Sequence, residues 1–221
     1  MTTPGDGDRP RVLGIIAAGG SGERLGASGP KAFVVLAGRP MLEWSLDVLR
    51  EVCDRVVVAV PAGYEDAADR VAGGPSRSSS VRNVMAAAPE ATVAVVHDAA
   101  RPLLDVALAR RCISSLEGFD GAIAAARVTD TVKEASSDGS VVRSLDRGSL
   151  WAVQTPQVFR ADVLRRALRT DEETLAAATD DASLVERAGG SVRVVEAPAS
   201  NLKVTTQLDL RVAEAILAER C

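Results

Sequence analysis

The sequence predicts an α/β fold: a mostly parallel sheet with helices on both faces, plus an inserted β-hairpin arm. Three observations carry that prediction. Short apolar, β-branched runs alternate with stretches of helical period along most of the chain, the order that builds parallel sheets from strand–helix–strand units. The first run leads into a glycine-rich segment, Ala17–Gly26, at the place where such sheets hold their ligands. One stretch, Val128–Leu145, leaves the alternation and carries turn residues at its centre.

Taken in order, Val12–Ala17, Arg55–Val60, Thr92–His97, Gly121–Ala126 and Ser191–Glu196 are short apolar runs expected as buried strands. A helix is expected over Pro40–Val52, where Pro40 takes a first-turn position and Leu42, Leu46 and Leu49 repeat at helical spacing. Further helices are expected over Val81–Ala88, Asp105–Leu116, Ala161–Leu168, Asp181–Ala188 and Leu208–Glu219. The order is Rossmann-like. Val128–Lys133 and Ser140–Leu145 flank Ser136-Ser137-Asp138-Gly139, the turn chemistry of a hairpin. With little local core to cover it, the hairpin is expected as a lid, as an arm packed on another subunit, or as a plain surface excursion. No internal repeat and no separating linker is found. Residues 11–221 are therefore expected as one domain with the arm at about 128–150, after a flexible tail over 1–10.

Composition narrows the function. Of 221 residues, 47% are apolar and 25% charged, the balance of a globular protein. No apolar run reaches the roughly eighteen residues of a membrane span. Met1–Arg11 lacks the apolar core of a signal peptide and the basic character of a transit peptide. Lys and Arg total 26 against 30 Asp and Glu, a net charge of -4, which argues against holding nucleic acid by phosphate neutralisation. Cys53, Cys112 and Cys221 are an odd, scattered set. They point to a reducing, cytoplasmic setting and away from disulfides or zinc. With a single histidine in the chain, any metal is expected to be a hard cation with oxygen ligands. His97 itself reads as scaffold, and Trp44 and Trp151 read as packing residues.

The glycine segment runs Ala17-Ala18-Gly19-Gly20-Ser21-Gly22-Glu23-Arg24-Leu25-Gly26, with Pro30-Lys31 close behind. Glycines let successive N–H groups face an anion with no Cβ in the way. A dinucleotide loop would need glycine where Leu25 stands, and a P-loop would need Gly-Lys-Ser/Thr, which is absent. There remain a glycine loop and two separated cations, Arg24 and Lys31. They are either solvated surface charges or the partners of a triphosphate attacked at its α-phosphoryl group, where charge develops in the transition state.

With the motifs that follow, the chain resembles the 2-C-methyl-D-erythritol 4-phosphate cytidylyltransferases of non-mevalonate isoprenoid biosynthesis. The resemblance rests on Ala17–Gly26 with Pro30-Lys31; Gly73-Gly74 with Arg77 and Ser80-Val81; and Val96-His97-Asp98-Ala99-Ala100-Arg101-Pro102. It continues through Thr129-Asp130-Thr131-Val132-Lys133, Asp146-Arg147, Gln154-Thr155-Pro156-Gln157, Thr179-Asp180-Asp181-Ala182-Ser183 and Asn201-Leu202-Lys203-Val204-Thr205. The glycine loop alone is shared with many sugar nucleotidyltransferases; the His-Asp-Ala-Ala-Arg-Pro and Asn-Leu-Lys-Val-Thr strings are the specific part.

The resemblance implies roles. Arg24 and Lys31 stabilise the transition state at the α-phosphoryl group, and Arg147 and Lys203 position the acceptor phosphate. The nucleotide lies along Ala17, Ala18, Gly19, Gly20, Ser21 and Gly22, with Gly74, Ser80, Asp98 and Ala99. Ser80 meets cytosine, and Asp98 stands near Mg²⁺ and the ribose. Arg101 and Thr131 meet the second substrate. CTP and a polyol phosphate are the expected small-molecule partners, and a homodimer is expected in which the arm brings Thr131 and Arg147 to the neighbour's site. Three positions depart from the family pattern: Ile16 where proline is common, Gly19-Gly20 where many relatives have one glycine, and Ser79 where aspartate is frequent.

The chemistry so implied is an in-line attack of a phosphate oxygen on the α-phosphorus of CTP. A phosphate monoester is already a competent anionic nucleophile, so the task is to overcome repulsion between anions by positioning and positive charge. Without the resemblance, Asp98 reads equally as a turn cap, and Asp180 and Asp181 as caps of the helix behind them. Asp209 reads as a favourable charge at a helix start. The competing readings are a cytidylyltransferase for another polyol phosphate such as ribitol 5-phosphate, a sugar-1-phosphate nucleotidyltransferase, and a nucleotide-binding module without turnover.

Overall fold

The computed structural model describes residues 10–26 and 29–220; most of the tail expected over 1–10 lies outside the described residues. Five strands fall where the apolar runs are: β1 (Val12–Ala17), β4 (Arg55–Val60), β6 (Val93–Asp98), β7 (Gly121–Arg127) and β11 (Val192–Glu196). The short strands β2 (Val35–Leu36), β3 (Arg39–Pro40) and β5 (Arg70–Ala72) are additions to the expected set. The central sheet has seven strands in the order β11-β7-β10-β6-β1-β4-β5, where β10 is Trp151–Arg160. β10 runs antiparallel to both of its neighbours, and the other pairings of this sheet are parallel.

Side chains of a strand alternate between faces, and the sheet holds one core on each. Leu13 and Ile15 of β1 and Val57 of β4 face one side. They pack there with Val81, Val84 and Met85 of α2 (Arg77–Ala87) and Leu164 of α4 (Ala161–Ala167). Ile16, Val56 and Val58 face the other side, against Leu42, Leu46 and Leu49 of α1 (Met41–Val52) and Leu108 and Cys112 of α3 (Val106–Ser114). Each such side chain, fully buried, stabilises the fold by roughly 2 kcal/mol. A third, smaller cluster joins Leu25, Leu36, Met41 and Leu103 to Ala213 and Leu217 of α7 (Gln207–Arg220).

Most helix starts fall within a residue or two of expectation, but α2 begins at Arg77, four residues before the expected Val81. Asp105 accepts from the Leu108 N–H at 2.7 Å, and Ser76 and Ser79 form a reciprocal capping box at the start of α2. Ser79, one of the departures from the family pattern, therefore has a local duty. Pro40 is the residue just before α1 rather than its first helical one. α5 (Glu172–Ala177), capped by Asp171, was not expected; its short apolar stretch gives too weak a period to announce it. Asp180 caps α6 (Asp181–Arg187) through Ser183 at 2.9 Å, as expected. Asp181 does not cap; it turns inward and is fully buried.

β10 is the main correction to the expected element order. No strand is expected over Trp151–Arg160, where Gln154-Thr155-Pro156-Gln157 puts three polar residues and a proline, an unusual content for a central strand. In the fold all three polar residues are buried and bonded. Gln157 Nε2 donates to Asp180 at 2.8 Å, Gln154 Oε1 accepts from Asn201 at 2.8 Å, and Thr155 Oγ1 lies 3.0 Å from His97 Nδ1. Satisfied polar groups remove most of the cost of burial.

The hairpin forms a separate two-stranded sheet of β8 (Lys133–Ala135) and β9 (Val141–Ser144). Its turn lies where expected, with Ser136 N–H donating to Ser140 O at 2.9 Å. Its first strand is shorter and later than Val128–Lys133: the Thr129 carbonyl is taken by Arg147 Nη1 at 2.5 Å instead of a cross-strand partner. No residue from 127 to 151 is buried.

Candidate active site

The ends of β1, β4 and β6 point the same way, and the sheet opens there into a cleft of about 420 Å³. The glycine loop leaves β1 along one wall. Gly22 adopts φ 81°, a left-handed conformation that side chains resist, and so starts the single 3-10 turn that carries Arg24. The loop returns on itself where Lys31 N–H donates to Gly20 O at 2.9 Å. A second 3-10 turn, Lys31–Phe33, then presents Lys31 to the cleft. The opposite wall is Gly74 and the start of α2. A Cβ on Gly74 would stand 2.6 Å from the Ser79 Cβ, so only glycine admits this approach. Ser80 Oγ accepts from Gly74 N–H at 3.0 Å and donates to Ser76 O at 2.9 Å, which fixes it on that wall.

Asp98, the last residue of β6, lies between these walls. Its Oδ1 accepts from Arg77 Nε at 2.8 Å and its Oδ2 from Lys203 Nζ at 2.7 Å. Burial alone would raise its pKa, but Arg77 and Lys203 outweigh that and hold the carboxyl well below its usual range. Arg77 also donates from Nη1 to Asp181 at 2.5 Å. Lys31 is pushed down to about 8, by burial first and then by the charges of Lys203 and Arg24. The three cations line one cleft, an arrangement that suits a polyanion.

His97 is buried and its ring is bonded at both nitrogens. Nε2 lies 3.1 Å from the Arg101 carbonyl, so it must be the donor, and Nδ1 accepts from Thr155. Thr155 Oγ1 in turn accepts from the Asp98 N–H at 3.1 Å. Burial, above all, takes the ring's pKa down to about 4. His97 is scaffold, as expected, and what it holds in place is the strand end that carries Asp98.

The expected residues divide into two groups. Ala17, Ala18, Gly19, Gly20, Ser21, Gly22, Arg24, Lys31, Gly74, Ser80, Asp98, Ala99 and Lys203 all line the cleft. Arg101, Thr131 and Arg147 do not. The Arg101 guanidinium is turned to backbone, with Nη1 on Asn201 O at 2.8 Å. Thr131 and Arg147 stand exposed on the arm. Arg77 lines the cleft but carried no role from the sequence. The one available signal was its place in the first turn behind Gly73-Gly74-Pro75-Ser76, where a helix start meets a glycine approach.

The family model for "IspD: 2-C-methyl-D-erythritol 4-phosphate cytidylyltransferase" matches residues 12–219. A 2-C-methyl-D-erythritol 4-phosphate cytidylyltransferase of Nocardia farcinica is 43% identical over 95% of this chain and 95% of its own length. One from Parasynechococcus marenigrum is 40% identical over 93% and 97%. The crystal structure of the Thermus thermophilus enzyme of that name superposes with a TM-score of 0.78 at 31% identity, covering 92% of this chain and 98% of the other. A match spanning nearly every element from β1 to α7, on a cleft with this arrangement of charges, leads to one conclusion: the chain belongs to the 2-C-methyl-D-erythritol 4-phosphate cytidylyltransferase family.

Proposed function

We propose that this protein transfers CMP from CTP to 2-C-methyl-D-erythritol 4-phosphate, giving 4-diphosphocytidyl-2-C-methyl-D-erythritol and pyrophosphate. The observation that carries the reading is the convergence of Arg24, Lys31 and Lys203 on one glycine-lined cleft with Asp98 at its centre. A phosphate oxygen of the acceptor attacks the α-phosphorus, a new P–O bond forms, and the bond to pyrophosphate breaks. Arg24 and Lys31 bear on the nucleotide's phosphates, where negative charge grows as the bond breaks. Gly74 and Ser80 serve the base, and Ala17–Gly22 with Ala99 serve the rest of the nucleotide. Lys203 receives the acceptor's phosphate, and Arg101 supports that side through the Asn201 carbonyl two residues before it.

The residues also fit Mg²⁺. Among the described residues no three His, Cys, Asp or Glu side chains gather as a self-sufficient metal site. Asp98 offers one carboxylate beside a triphosphate site, the donor set that Mg²⁺ accepts when phosphates and water supply the rest. Bound there, it would neutralise phosphate charge.

The same reading makes the protein a homodimer joined through the β8–β9 arm, so that Thr131 and Arg147 act in the neighbour's cleft. Arg147 and Thr131 lie outside their own chain's cleft, and the arm exposes Val141 and Val142 by 62% and 61%, which supports an arm that needs a covering surface. Residues 11–221 then act as one domain. Cys53 and Cys112 are free thiols and no described helix is long and apolar enough to cross a membrane; a cytoplasmic setting accords with both. Pyrophosphate release, followed with CTP, Mg²⁺ and either methylerythritol phosphate or ribitol 5-phosphate, tests the reading. Release should require methylerythritol phosphate. Preference for ribitol 5-phosphate, or nucleotide binding with no release, would sink it.

A further inference from the structure

Asp181, Arg77, Asp98 and Lys203, in that order, form an unbroken line of alternating charge from the first turn of α6 to the mouth of the cleft. Asp180 performs the helix cap, which leaves Asp181 free to turn inward. Asp181 offers Oδ2 to Arg77 Nη1 at 2.5 Å and its side chain is 0% exposed. Arg77 spans the gap with its fork, placing Nε on Asp98 Oδ1 at 2.8 Å. A guanidinium can bridge two carboxylates in fixed directions, which a lysine ammonium cannot do with the same precision. Lys203 takes the remaining oxygen of Asp98 at 2.7 Å, with its side chain still 44% exposed toward the cleft.

We propose that Arg77 is a positioning residue for the transfer: by occupying one oxygen of Asp98, it keeps Lys203 oriented yet releasable to the acceptor's phosphate. This rests on the role given to Lys203 above. Asp98 carries a single negative charge. With Arg77 in place, that charge is shared between two cations. Without Arg77 it falls on Lys203 alone, and an incoming phosphate must break a tight ion pair to engage the ammonium. Asp181 is the buried anchor that keeps Arg77 from following Lys203 or the substrate out of the cleft.

The test is a double variant, Arg77→Met with Asp181→Asn, which removes the bridge and its anchoring charge together and so leaves no unpaired buried carboxylate behind Asp98. Thermal unfolding, calorimetric binding of CTP, and steady-state KM and kcat for the acceptor are measured on the double variant and on the wild type. The expected result is a KM for the acceptor raised roughly tenfold, with the CTP Kd within about threefold of wild type and a similar unfolding temperature. A merely structural role would lower the active fraction without moving the acceptor KM. Should the double variant fail to fold, Arg77→Lys is the second arm: one point charge cannot hold both carboxylates, and the acceptor KM should rise about threefold. Unchanged acceptor KM in a folded variant overturns the proposal, as does loss of CTP affinity in place of acceptor affinity. A wild type that binds CTP but releases no pyrophosphate overturns the parent reading and this one together; a wild type that turns over isolates the failure to Arg77.

Discussion

In the cleft, charged side chains are backed by buried partners: Asp98 is pinned by Arg77 and Lys203, and Arg77 by Asp181, which solvent does not reach. On the arm, charged side chains meet only their near neighbours. Arg143 pairs with Glu134 at 2.6 Å, Lys133 reaches Ser144, and Arg147 bonds the Thr129 carbonyl, all of them exposed. Exposed pairs of this kind contribute about 0–1 kcal/mol each. The cleft is therefore ordered by the sheet beneath it, whereas the arm has no core of its own to fix where Thr131 and Arg147 stand. Arg24, Lys31 and Lys203 therefore come preorganised in the cleft, whereas Arg147 stands on a hairpin with no buried residue beneath it.

Removing the arm should have the largest effect. Deletion of Val128–Leu145 is expected to give monomers by light scattering and to lower activity by about 100-fold or more, since Thr131 is removed outright and Arg147 loses the arm that would carry it to the second substrate. A deleted form that stays dimeric and active would make the arm decoration. Lys203→Ala comes next: kcat/KM for the acceptor should fall roughly 100-fold while the CTP Kd, by calorimetry, moves less than about threefold. Equal losses for the two substrates would erase the division of labour within the cleft.

Lys31 gives a smaller, graded effect. Its pKa of about 8 means the free enzyme loses that cation as pH rises through this value. Since kcat/KM reports the free enzyme, kcat/KM for CTP should decline above pH 8, approaching tenfold per unit. Lys31→Arg, which stays charged, should flatten the decline; an unchanged profile would free Lys31 of its role.

The smallest effect concerns stability alone. His97 is neutral in the fold with a pKa of about 4 against an ordinary 6.5. As pH falls, the unfolded chain takes up the proton first, so stability is lost between pH 6.5 and 4. Urea denaturation across that window should show a loss of a few kcal/mol at most, reduced in His97→Gln. On the arm, hydrogen bonds from Ser136 and Ser140 hold the Asp138 carboxyl down to about 2, so its contribution is lost only below this window.

The same contrast governs how much could be read from the sequence. The parallel strands and most of their helices were legible because buried strands are continuous apolar runs and Asp105 and Asp180 stand at the starts of the helices they cap; the true start of α2, capped by Ser76, was not. The glycine loop was legible because it follows the first strand directly. β10 was not, because Gln154, Thr155 and Gln157 are buried on the strength of partners at Asn201, His97 and Asp180, far away in sequence. Arg77 was not given a role for the same reason: Asp181, its anchor, lies 104 positions later. The resemblance already sets Thr131 and Arg147 apart from their own cleft, and the turn at Ser136–Gly139 announces the hairpin; that Arg101 also turns away, to the Asn201 carbonyl, appears only once distances are known.

In the proposed dimer, cleft and arm, separate within one chain, make a single cytidylyl-transfer site across two. Mixing Lys203→Ala with Arg147→Ala after partial unfolding and refolding tests this directly through pyrophosphate release. Each variant alone should be nearly inactive. In a random mixture, half the dimers join one of each, and one of their two sites combines an intact cleft with an intact arm, so about a quarter of wild-type activity should return. A mixture as inactive as its parts, with mixed dimers shown to be present, would contradict the claim and place both residues in the site of their own chain.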